Sequence, residues 1–523
     1  MSLTREIVFD SSRVRRMDPE RKTPHRVNIT DLLLPLDDTS GIPLYRQVYE
    51  GLRDAIIEGR LPPGARIPST RRLAEYLAVS RTTVLVAFEQ LAAEGFLVGA
   101  VGSGSRVSDQ LPPAPPLPEA DPRAATISVT VEISRRGRSL LELPRPSRQL
   151  SPGPKAFRTG QPPVDGFPLE VWRRLASRRH RTLTSADLHH GSAQGLRKLR
   201  EAIVTVAVAR GIRCEPEQVL VLASAQEAME LVCRMLLDPG DEAWLEDPAW
   251  SGAHAALVAA GAHIVPVPVD GAGLGVEVGI LTAPQARLAY VTPSHQYPMG
   301  VTMSRDRRTM LLEWAQEHGA WILEDDYDSE FRYADRPLPA LQSLDRTGRV
   351  VYVGTFNKTL FPALRLAYLL LPEKLIDAFR EARGIGGQHP PAIDQGILSE
   401  FIAEGHYARH LKHARALGRE RRDTLLSTAA RRLEGLEVTH TDTGLHTVGW
   451  LPEETDDRSV SLAALRHGVE AAPLSAHYLA ACPRPGLVLG YGALTTRQIT
   501  DGVERLSAAL DEVIRPARAG RRR

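Results

Sequence analysis

A proline-rich break divides the chain and limits what it can fold into. Residues 111–118 (LPPAPPLP) hold five prolines in eight positions, a density that favours extended polyproline II over packed helix or sheet. Further prolines continue this irregular stretch at Pro122, Pro144, Pro146, Pro152 and Pro154. We therefore predict an N-terminal extension at 1–39, a head at 40–108, a linker at 109–155, a body at 156–515 and a basic tail at 516–523. The 523 residues suffice for about three or four domains.

The composition excludes several classes of protein. Lys and Arg number 65 against 63 Asp and Glu, so the net charge of +2 gives no global sign of a nucleic-acid or membrane partner. No apolar run approaches the roughly 20 residues that span a bilayer, and residues 1–26 lack the apolar core of a secretory signal. Three widely spaced cysteines fit reduced thiols. We expect a cytoplasmic protein with no membrane partner.

The head has the pattern of three short helices and a hairpin. Residues 43–58 carry apolar side chains at four-residue spacing, which predicts an amphipathic helix. A second helix is predicted after Ser69 and a third at 81–94, where Ser80 is a natural N-cap. Residues 96–107 predict a β-hairpin. The tight turn before Arg81 suits a recognition helix that enters the DNA major groove, although a three-helix bundle for protein contacts fits the same periodicity.

Several spaced motifs of the head resemble a known family. They are PLYRQ at 43–47, GRLPPG at 59–64, PSTRRLA at 68–74, VSRTTV at 79–84 and EGFL at 94–97. Together they resemble the winged helix-turn-helix of GntR-type bacterial regulators. The resemblance implies a double-stranded DNA partner, contacted by Arg71, Ser80, Arg81, Thr82, Thr83 and, in the wing, Gly102.

In the body, short apolar runs alternate with helical patterns. Buried strands are predicted at 219–223, 263–269, 288–292, 320–323 and 350–354, with helices at 224–237, 251–260 and 305–318. Such alternation predicts an α/β fold with a mostly parallel sheet. Functional side chains are then expected just past the carboxyl ends of the strands.

Two strand ends carry reactive side chains. Asp325 lies in ILEDDYDSEFR at 322–332, and Lys358 lies in VVYVGTFNKT at 350–359. A lysine that forms a Schiff base and a carboxylate that keeps a pyridine nitrogen protonated are what pyridoxal phosphate chemistry needs. A solvated lysine and a metal-binding or capping loop explain the same residues.

From residue 161 to residue 492 the body resembles fold-type-I aminotransferases. The motifs are EDDYDSEF at 324–331, YVGTFNKTLFPALR at 352–365 and PSHQYP at 293–298. A GntR-like head joined to such a body resembles the MocR-type regulators. The resemblance implies a mostly parallel sheet with flanking helices, a smaller C-terminal α/β part, a homodimer and the cofactor pyridoxal 5'-phosphate.

The resemblance also implies roles for single residues. Lys358 would form the Schiff base, Asp325 would pair with the pyridine nitrogen, and Tyr327 would reach the phenolic oxygen. Arg365 and Thr355 would hold the phosphate. Two further contacts have their own physical logic: the turn at Ser224, Ala225 and Gln226 opens a helix whose N–H groups suit a phosphate, and the indole of Trp250 suits stacking on the pyridine ring.

Four positions depart from the aminotransferase pattern. Tyr297 replaces the Asn that usually precedes the proline of the Asn-Pro loop, and His190 stands where a phosphate-binding Tyr is common. Val488 occupies the position of the arginine that clamps a substrate carboxylate, and Gly252 occupies that of a second arginine in GABA-responsive relatives. Because a carboxylate in a dry pocket needs a bidentate cation, an amino-acid or GABA ligand is disfavoured.

These observations predict a transcriptional regulator rather than an enzyme. We expect the body to sense pyridoxal phosphate, an amine or an amino acid at Lys358, with vitamin B6 genes as a narrower hypothesis for its targets. A working aminotransferase with an appended DNA-binding head is the alternative. The three residues of the catalytic type, Lys358, Asp325 and Tyr327, leave half-transamination open.

Overall fold

A computed structural model describes residues 36–99, 104–110, 133–143, 155–333, 338–387 and 389–520. The chain divides into two compact units, at 1–131 and 132–523. Gly102, most of the extension at 1–39 and most of the linker at 109–155 lie outside the described residues.

The first unit confirms the predicted helices and hairpin of the head. Its elements are α1 (Leu44–Ile57), α2 (Thr70–Leu77), α3 (Arg81–Ala93), β1 (Leu97–Val98) and β2 (Arg106–Val107). β1 and β2 pair antiparallel, with Leu97 opposite Val107. The inward faces of all three helices meet in one apolar core, which includes Val48, Leu52, Leu73, Val84 and Phe88.

The second unit contains an eight-stranded sheet. Its strands are β3 (Val219–Leu222), β4 (Glu242–Asp247), β5 (His263–Asp270), β6 (Gly273–Leu274), β7 (Leu288–Val291), β8 (Trp321–Asp326), β9 (Val350–Thr355) and β10 (Ala367–Leu370). The spatial order is β3-β10-β9-β8-β7-β4-β5-β6. β9, β8, β7, β4 and β5 run parallel, whereas β10 is antiparallel to both its neighbours. The carboxyl ends of the parallel strands therefore share one edge.

Helices cover this sheet and continue into the C-terminal part. They are α4 (Arg135–Glu142), α5 (Leu169–Arg181), α6 (Arg197–Val208), α7 (Ala225–Leu236), α8 (Ser251–Ala260), α9 (Val276–Thr282), α10 (Arg305–His318), α11 (Ile376–Gly386), α12 (Ala392–Ala403), α13 (His406–Arg432), α14 (Asp457–Arg466) and α15 (Thr496–Gly520). No helix of the described residues is long and apolar enough to cross a membrane.

The smaller C-terminal part predicted from the sequence is present. Its antiparallel sheet contains β11 (Glu437–Val438), β12 (His446–Trp450), β13 (Ala472–Pro473) and β14 (Gly486–Gly490), in the order β11-β12-β14-β13. α13 and α14 pack with α15, and buried side chains from these helices and strands form one apolar core.

Four details differ from the sequence expectations. β8 continues to Asp326, so Asp325 lies within the strand and not after it. α4 lies within the segment predicted as a linker, and it packs against α8. α15 extends to Gly520, past the expected start of the basic tail. Strands β4, β6 and β10 of the large sheet were not predicted.

Candidate functional sites

Strand alternation gives the neighbouring acids of β8 different environments. Successive side chains of a strand point to opposite faces. Glu324 accepts hydrogen bonds from the backbone N–H groups of Leu341 (2.8 Å) and Gln342 (2.7 Å). Asp326 accepts from Arg210 Nε at 2.8 Å. These two acids therefore stabilise the structure around the strand, and Asp325 between them is left for another partner.

Asp325 is buried and only half satisfied. Its Oδ2 accepts a hydrogen bond from the Tyr290 hydroxyl at 2.9 Å, and its Oδ1 has no hydrogen-bond partner among the described residues. Tyr290 is opposite Leu323 in the β7–β8 register, which puts its side chain on the same face as Asp325. Burial raises the pKa of Asp325 to about 7, against the lowering effect of the Tyr290 hydrogen bond. The free oxygen can accept a hydrogen bond from a protonated ring nitrogen.

Lys358 follows β9 by three residues and is partly buried. Its Nζ donates to the backbone oxygen of Gly160 at 2.7 Å. Gly160 has φ +76, and a Cβ there would lie 2.8 Å from Nζ, so a side chain would crowd the amine. Burial lowers the pKa of Lys358, while the charges of Asp328 and Asp325 oppose that shift. A lowered pKa favours the neutral, nucleophilic form of the amine.

Tyr327 lies beside a buried histidine that sequence reasoning did not assign. Its hydroxyl donates to the backbone oxygen of His295 at 2.9 Å and lies 3.0 Å from His295 Nδ1. That nitrogen also lies 3.0 Å from Asp328 Oδ1. In a hydrogen bond between these two groups the imidazole N–H donates and the carboxylate oxygen accepts. The motif PSHQYP contained His295, but its partners are 32 and 33 residues away.

A second histidine reaches the same place from the small sheet. His446, the first residue of β12, has its ring centroid 4.7 Å from that of His295. Burial holds the pKa of His446 well below its usual range, so its ring is neutral. Atoms of His295, Asp328 and His446 lie within 4.8 Å of one another. Both parts of the second unit therefore contribute to the site.

The residues predicted to hold a phosphate lie at helix and strand termini. Ser224 caps α7, and its Oγ accepts from the Glu227 N–H at 3.1 Å. Ala225 and Gln226 begin that helix, where first-turn N–H groups have no partner within the helix. Thr355 ends β9 and is buried. The free N–H groups at the N-terminus of α7 attract anions such as a phosphate.

Arg365 is exposed and sits at φ 51, in the left-handed region. Its guanidinium forms no ion pair within the described part of the chain. A non-glycine residue at positive φ is uncommon and costs energy. Because the described residues also offer the Arg365 guanidinium no hydrogen bond, its N–H groups are available to a ligand.

Trp250 is the N-cap residue of α8 and packs against the apolar core of the large sheet. Two residues later, a Cβ on Gly252 would lie 2.4 Å from both the Trp250 ring and Gln226 Oε1. The Gln226 side-chain amide donates to the Gly252 backbone oxygen at 3.0 Å. Glycine at 252 is therefore required by this packing, and an arginine there would displace Trp250.

The structure also shows the environment of the other three positions that depart from the aminotransferase pattern. Val488 is fully buried in β14 and packs with Val448 and Leu474, so that position has no cation for a carboxylate. Tyr297 is partly buried, with its hydroxyl 3.3 Å from Thr159 Oγ1. His190 is exposed.

The described residues fit pyridoxal phosphate. The cofactor needs an amine for its aldehyde, an acid for its ring nitrogen and N–H groups or cations for its phosphate. The amine is Lys358, and the acid is Asp325, whose Oδ1 has no partner among the described residues. The N–H groups are those at the start of α7, and the cation is Arg365.

The candidate DNA-binding residues cluster at the start of α3. Ser80 caps the helix by accepting from the Thr83 N–H at 3.0 Å, and the two hydroxyl oxygens are 2.8 Å apart. Ser80, Arg81 and Thr82 are exposed, and Thr83 is partly exposed. Arg71 on α2 is exposed and pairs with Glu75 at 3.2 Å. The structure thus presents the predicted α3 contacts on one exposed helix terminus.

Comparison with known proteins matches both units. Residues 44–107 match "Bacterial regulatory proteins, gntR family", and residues 156–505 match "Aminotransferase class I and II". The probable rhizopine catabolism regulatory protein MocR of Rhizobium meliloti is 38% identical, over 91% of this chain and 96% of that protein. The pyridoxine biosynthesis transcriptional regulator PdxR of Corynebacterium glutamicum is 32% identical, over 89% and 95%.

Solved structures resemble the second unit. The α-aminoadipate aminotransferase LysN of Thermus thermophilus superposes with a TM-score of 0.64 at 27% identity, over 73% of this chain and 96% of that chain. A kynurenine aminotransferase of Pyrococcus horikoshii gives the same TM-score at 25% identity, over 75% and 98%. With a gntR-type head, a class I and II aminotransferase fold and relatives that match almost end to end, the chain belongs to the MocR-type transcriptional regulators.

Proposed function

We propose that the protein is a pyridoxal phosphate-dependent, DNA-binding transcriptional regulator whose aminotransferase-like body serves as the sensor. The observation that carries the proposal is the pairing of a buried acid that has a free oxygen, Asp325, with an amine of lowered pKa, Lys358. When bound, pyridoxal phosphate supplies an aldehyde for amines and a ring that withdraws electrons.

Each protein group has one task in this proposal. Lys358 bonds the cofactor, and Asp325 holds a proton on the ring nitrogen. Tyr327 directs its hydroxyl to the phenolic oxygen, with His295 and Asp328 setting its orientation. The phosphate would be held by Arg365, by Ser224, Ala225 and Gln226 at the N-terminus of α7, and by Thr355 at the end of β9. Trp250 stacks on the ring.

Regulation, and not turnover, is the favoured use of the site. Val488 leaves the carboxylate position of the aminotransferase pattern without an arginine, and Gly252 leaves the position of a second arginine in GABA-responsive relatives without one. The relatives MocR and PdxR are regulators. We place the protein in the cytoplasm as a homodimer, with two heads that read repeated half-sites of double-stranded DNA. A ligand changes DNA affinity only if it favours one arrangement of heads and bodies over another. The similarity to PdxR, a regulator of pyridoxine biosynthesis, supports genes of vitamin B6 metabolism as candidate targets of this protein.

The cofactor claim is tested by reduction. Borohydride should trap pyridoxal phosphate on the wild-type chain, and peptide mapping should locate it on Lys358. Lys358→Ala should abolish the adduct, whereas Lys198→Ala, at an exposed lysine of α6, should keep it. An adduct that survives in Lys358→Ala refutes the assignment.

The regulatory claim is tested on DNA. The full-length protein should bind a fragment from the intergenic region beside its own gene, and Arg81→Ala should weaken that binding at least tenfold. Adding pyridoxal phosphate should change the affinity for the fragment. Unchanged binding by Arg81→Ala would instead favour a head used for protein contacts.

An active aminotransferase is the second candidate, because the sequence has residues of the catalytic type at Lys358, Asp325 and Tyr327 and the similar solved structures are aminotransferases. A screen of amino donors with a keto acid separates the two functions. Sustained turnover would support the enzyme, and at most one half-reaction per site would support the regulator.

A further inference from the structure

The side of α3 that faces away from the core of the head carries apolar side chains. Residues 84–88 read VLVAF, five apolar residues in succession. The core-facing side chains of α3 are buried, namely Val84, Ala87, Phe88 and Leu91. Leu85 and Val86 stand between them in the sequence, and the helical repeat of 3.6 residues turns both away from that core. The outward face of a surface helix is normally polar, so this pair needs its own explanation.

Both side chains are accessible. Val86 is 39% exposed, and Leu85 is partly exposed. Among the described residues, the side chains that pack against the core of the head do not include either of them. Single exposed apolar residues are common and need no explanation. Two adjacent ones on a helix that carries candidate DNA contacts offer apolar surface to a partner, and burial of that surface is favourable.

The pair continues the face that carries the candidate DNA contacts. Leu85 follows Arg81 by four residues and Val86 follows Thr82 by four, so each lies one turn further along the same side of α3. In helix-turn-helix proteins the first residues of the recognition helix contact base edges in the major groove. Four residues advance a helix by about 6 Å, close to the length of two base steps. The second turn of α3 is therefore within reach of neighbouring bases.

Thymine is the base that matches this surface. Its C5-methyl group is the apolar group in the hydrogen-bonding pattern of the major groove, and apolar side chains and the methyl group of threonine contact it. Leu85 and Val86 have no side-chain donor or acceptor, so they cannot recognise a base through hydrogen bonds. Thr82, one turn before Val86, adds a methyl group to the same face.

Charged and polar groups limit the apolar surface along the helix. Arg81 and Thr82 precede it, and Glu89, which is exposed one turn later on the same face, follows it. A carboxylate there repels phosphates and can accept a hydrogen bond from cytosine. Two apolar side chains between such groups are too small a surface for a stable protein interface, but they are large enough to contact the methyl groups of one or two base pairs.

We propose that Leu85 and Val86 recognise thymine methyl groups in the DNA major groove and thereby set part of the base preference of the head. The inference rests on the proposed DNA-binding function. It deepens that function by naming the base chemistry that the second turn of α3 recognises. Each half-site then contains a thymine that the protein distinguishes from uracil, because uracil pairs with adenine in the same way and lacks only the methyl group.

The test removes that methyl group from the DNA. The full-length protein is first used to select a binding duplex from a random-sequence library, and each thymine of that duplex is then replaced in turn by deoxyuridine. At one fixed salt concentration, at least one replacement in each half-site should weaken binding about fourfold, as expected for the loss of one buried apolar carbon group. If no replacement lowers the affinity of the wild-type protein, the proposal is overturned.

Variants of α3 then assign the contact. Val86→Ala and Leu85→Ala should each weaken binding to the thymine duplex, and at least one of them should lose most of the fourfold preference for thymine over uracil. Ile57→Ala is the matched control, because it shortens an apolar side chain that is 51% exposed at the end of α1. It should keep both the affinity and the preference. A preference that persists in both α3 variants refutes the assignment. Should Leu85→Ala not fold, the wild-type scan and Val86→Ala still decide.

Failure of this inference is distinguishable from failure of the proposed function. A full-length protein that enriches no sequence from the library contradicts DNA binding by the head. A protein that binds its selected duplex equally well with thymine and with uracil contradicts only the role of Leu85 and Val86.

Discussion

Replacing Asp325 by Asn should stabilise the protein without cofactor above neutral pH. The site raises the pKa of this carboxyl from 3.8 to about 7 by burial, so an ionised Asp325 at pH 8 costs about 4 kcal/mol of folding free energy. Asn has a similar shape, can still accept from the Tyr290 hydroxyl and never ionises. All other ionisable groups are the same in the wild type and in Asp325→Asn, so their contributions cancel when the two free energies of unfolding are compared.

The sign follows from proton binding. Between pH 4 and pH 7 the folded chain holds a proton on Asp325 that the unfolded chain has released, so wild-type stability falls as pH rises through this window. Above pH 7 this loss of wild-type stability is nearly complete. The stability advantage of Asp325→Asn should therefore grow by about 3 kcal/mol between pH 5 and pH 8.

Urea unfolding followed by tryptophan fluorescence measures this difference. All six tryptophans lie after residue 171, so the signal reports the second unit alone. Asp326→Asn is the matched control: it breaks a 2.8 Å ion pair with Arg210 and should destabilise the protein, because it leaves a buried cation unpaired. If the stability advantage of Asp325→Asn over the wild type stays constant from pH 5 to pH 8, the site does not resist ionisation of Asp325 and the reasoning is wrong.

Three further changes test other parts of the structure. Arg365→Gln should weaken pyridoxal phosphate roughly 10- to 100-fold by removing charge-assisted hydrogen bonds; equal affinities in an absorbance titration would contradict its phosphate role. Ser80→Ala removes the cap of α3 and should cost about 1 kcal/mol in the head, seen as faster hydrogen exchange of α3 amides by mass spectrometry, while amides of the second unit keep their rates. Gly444→Ala would place a Cβ 1.9 Å from His295 Cε1 at φ +78 and should cost about 2 kcal/mol or more in urea unfolding. Gly240→Ala, at φ +96 with open space around it, should cost less; equal losses would show that contact with His295 is not the cause.

Much of the fold followed from local patterns. Four-residue apolar spacing and the serine caps placed the helices of the head, and α8 and α10 match their predicted bounds, because these signals act between residues one turn apart. β4 was missed because Glu242 on one side and Glu246 and Asp247 on the other limit its apolar run to three residues. Glu246 is nevertheless buried, and it accepts from the Thr292 hydroxyl at 2.6 Å.

By itself the sequence determined the order of two units and the element types, and it predicted the two residues on which the proposed chemistry depends, Asp325 and Lys358. Only the tertiary structure decided their environments: Tyr290 reaches Asp325 through strand register, and Gly160 receives an amine 198 residues away. It alone brought His446 of the small sheet to His295 of the large one. The physical reason is that backbone conformation depends on near neighbours in the chain, whereas burial, pKa and hydrogen-bond partners depend on which distant segments pack together.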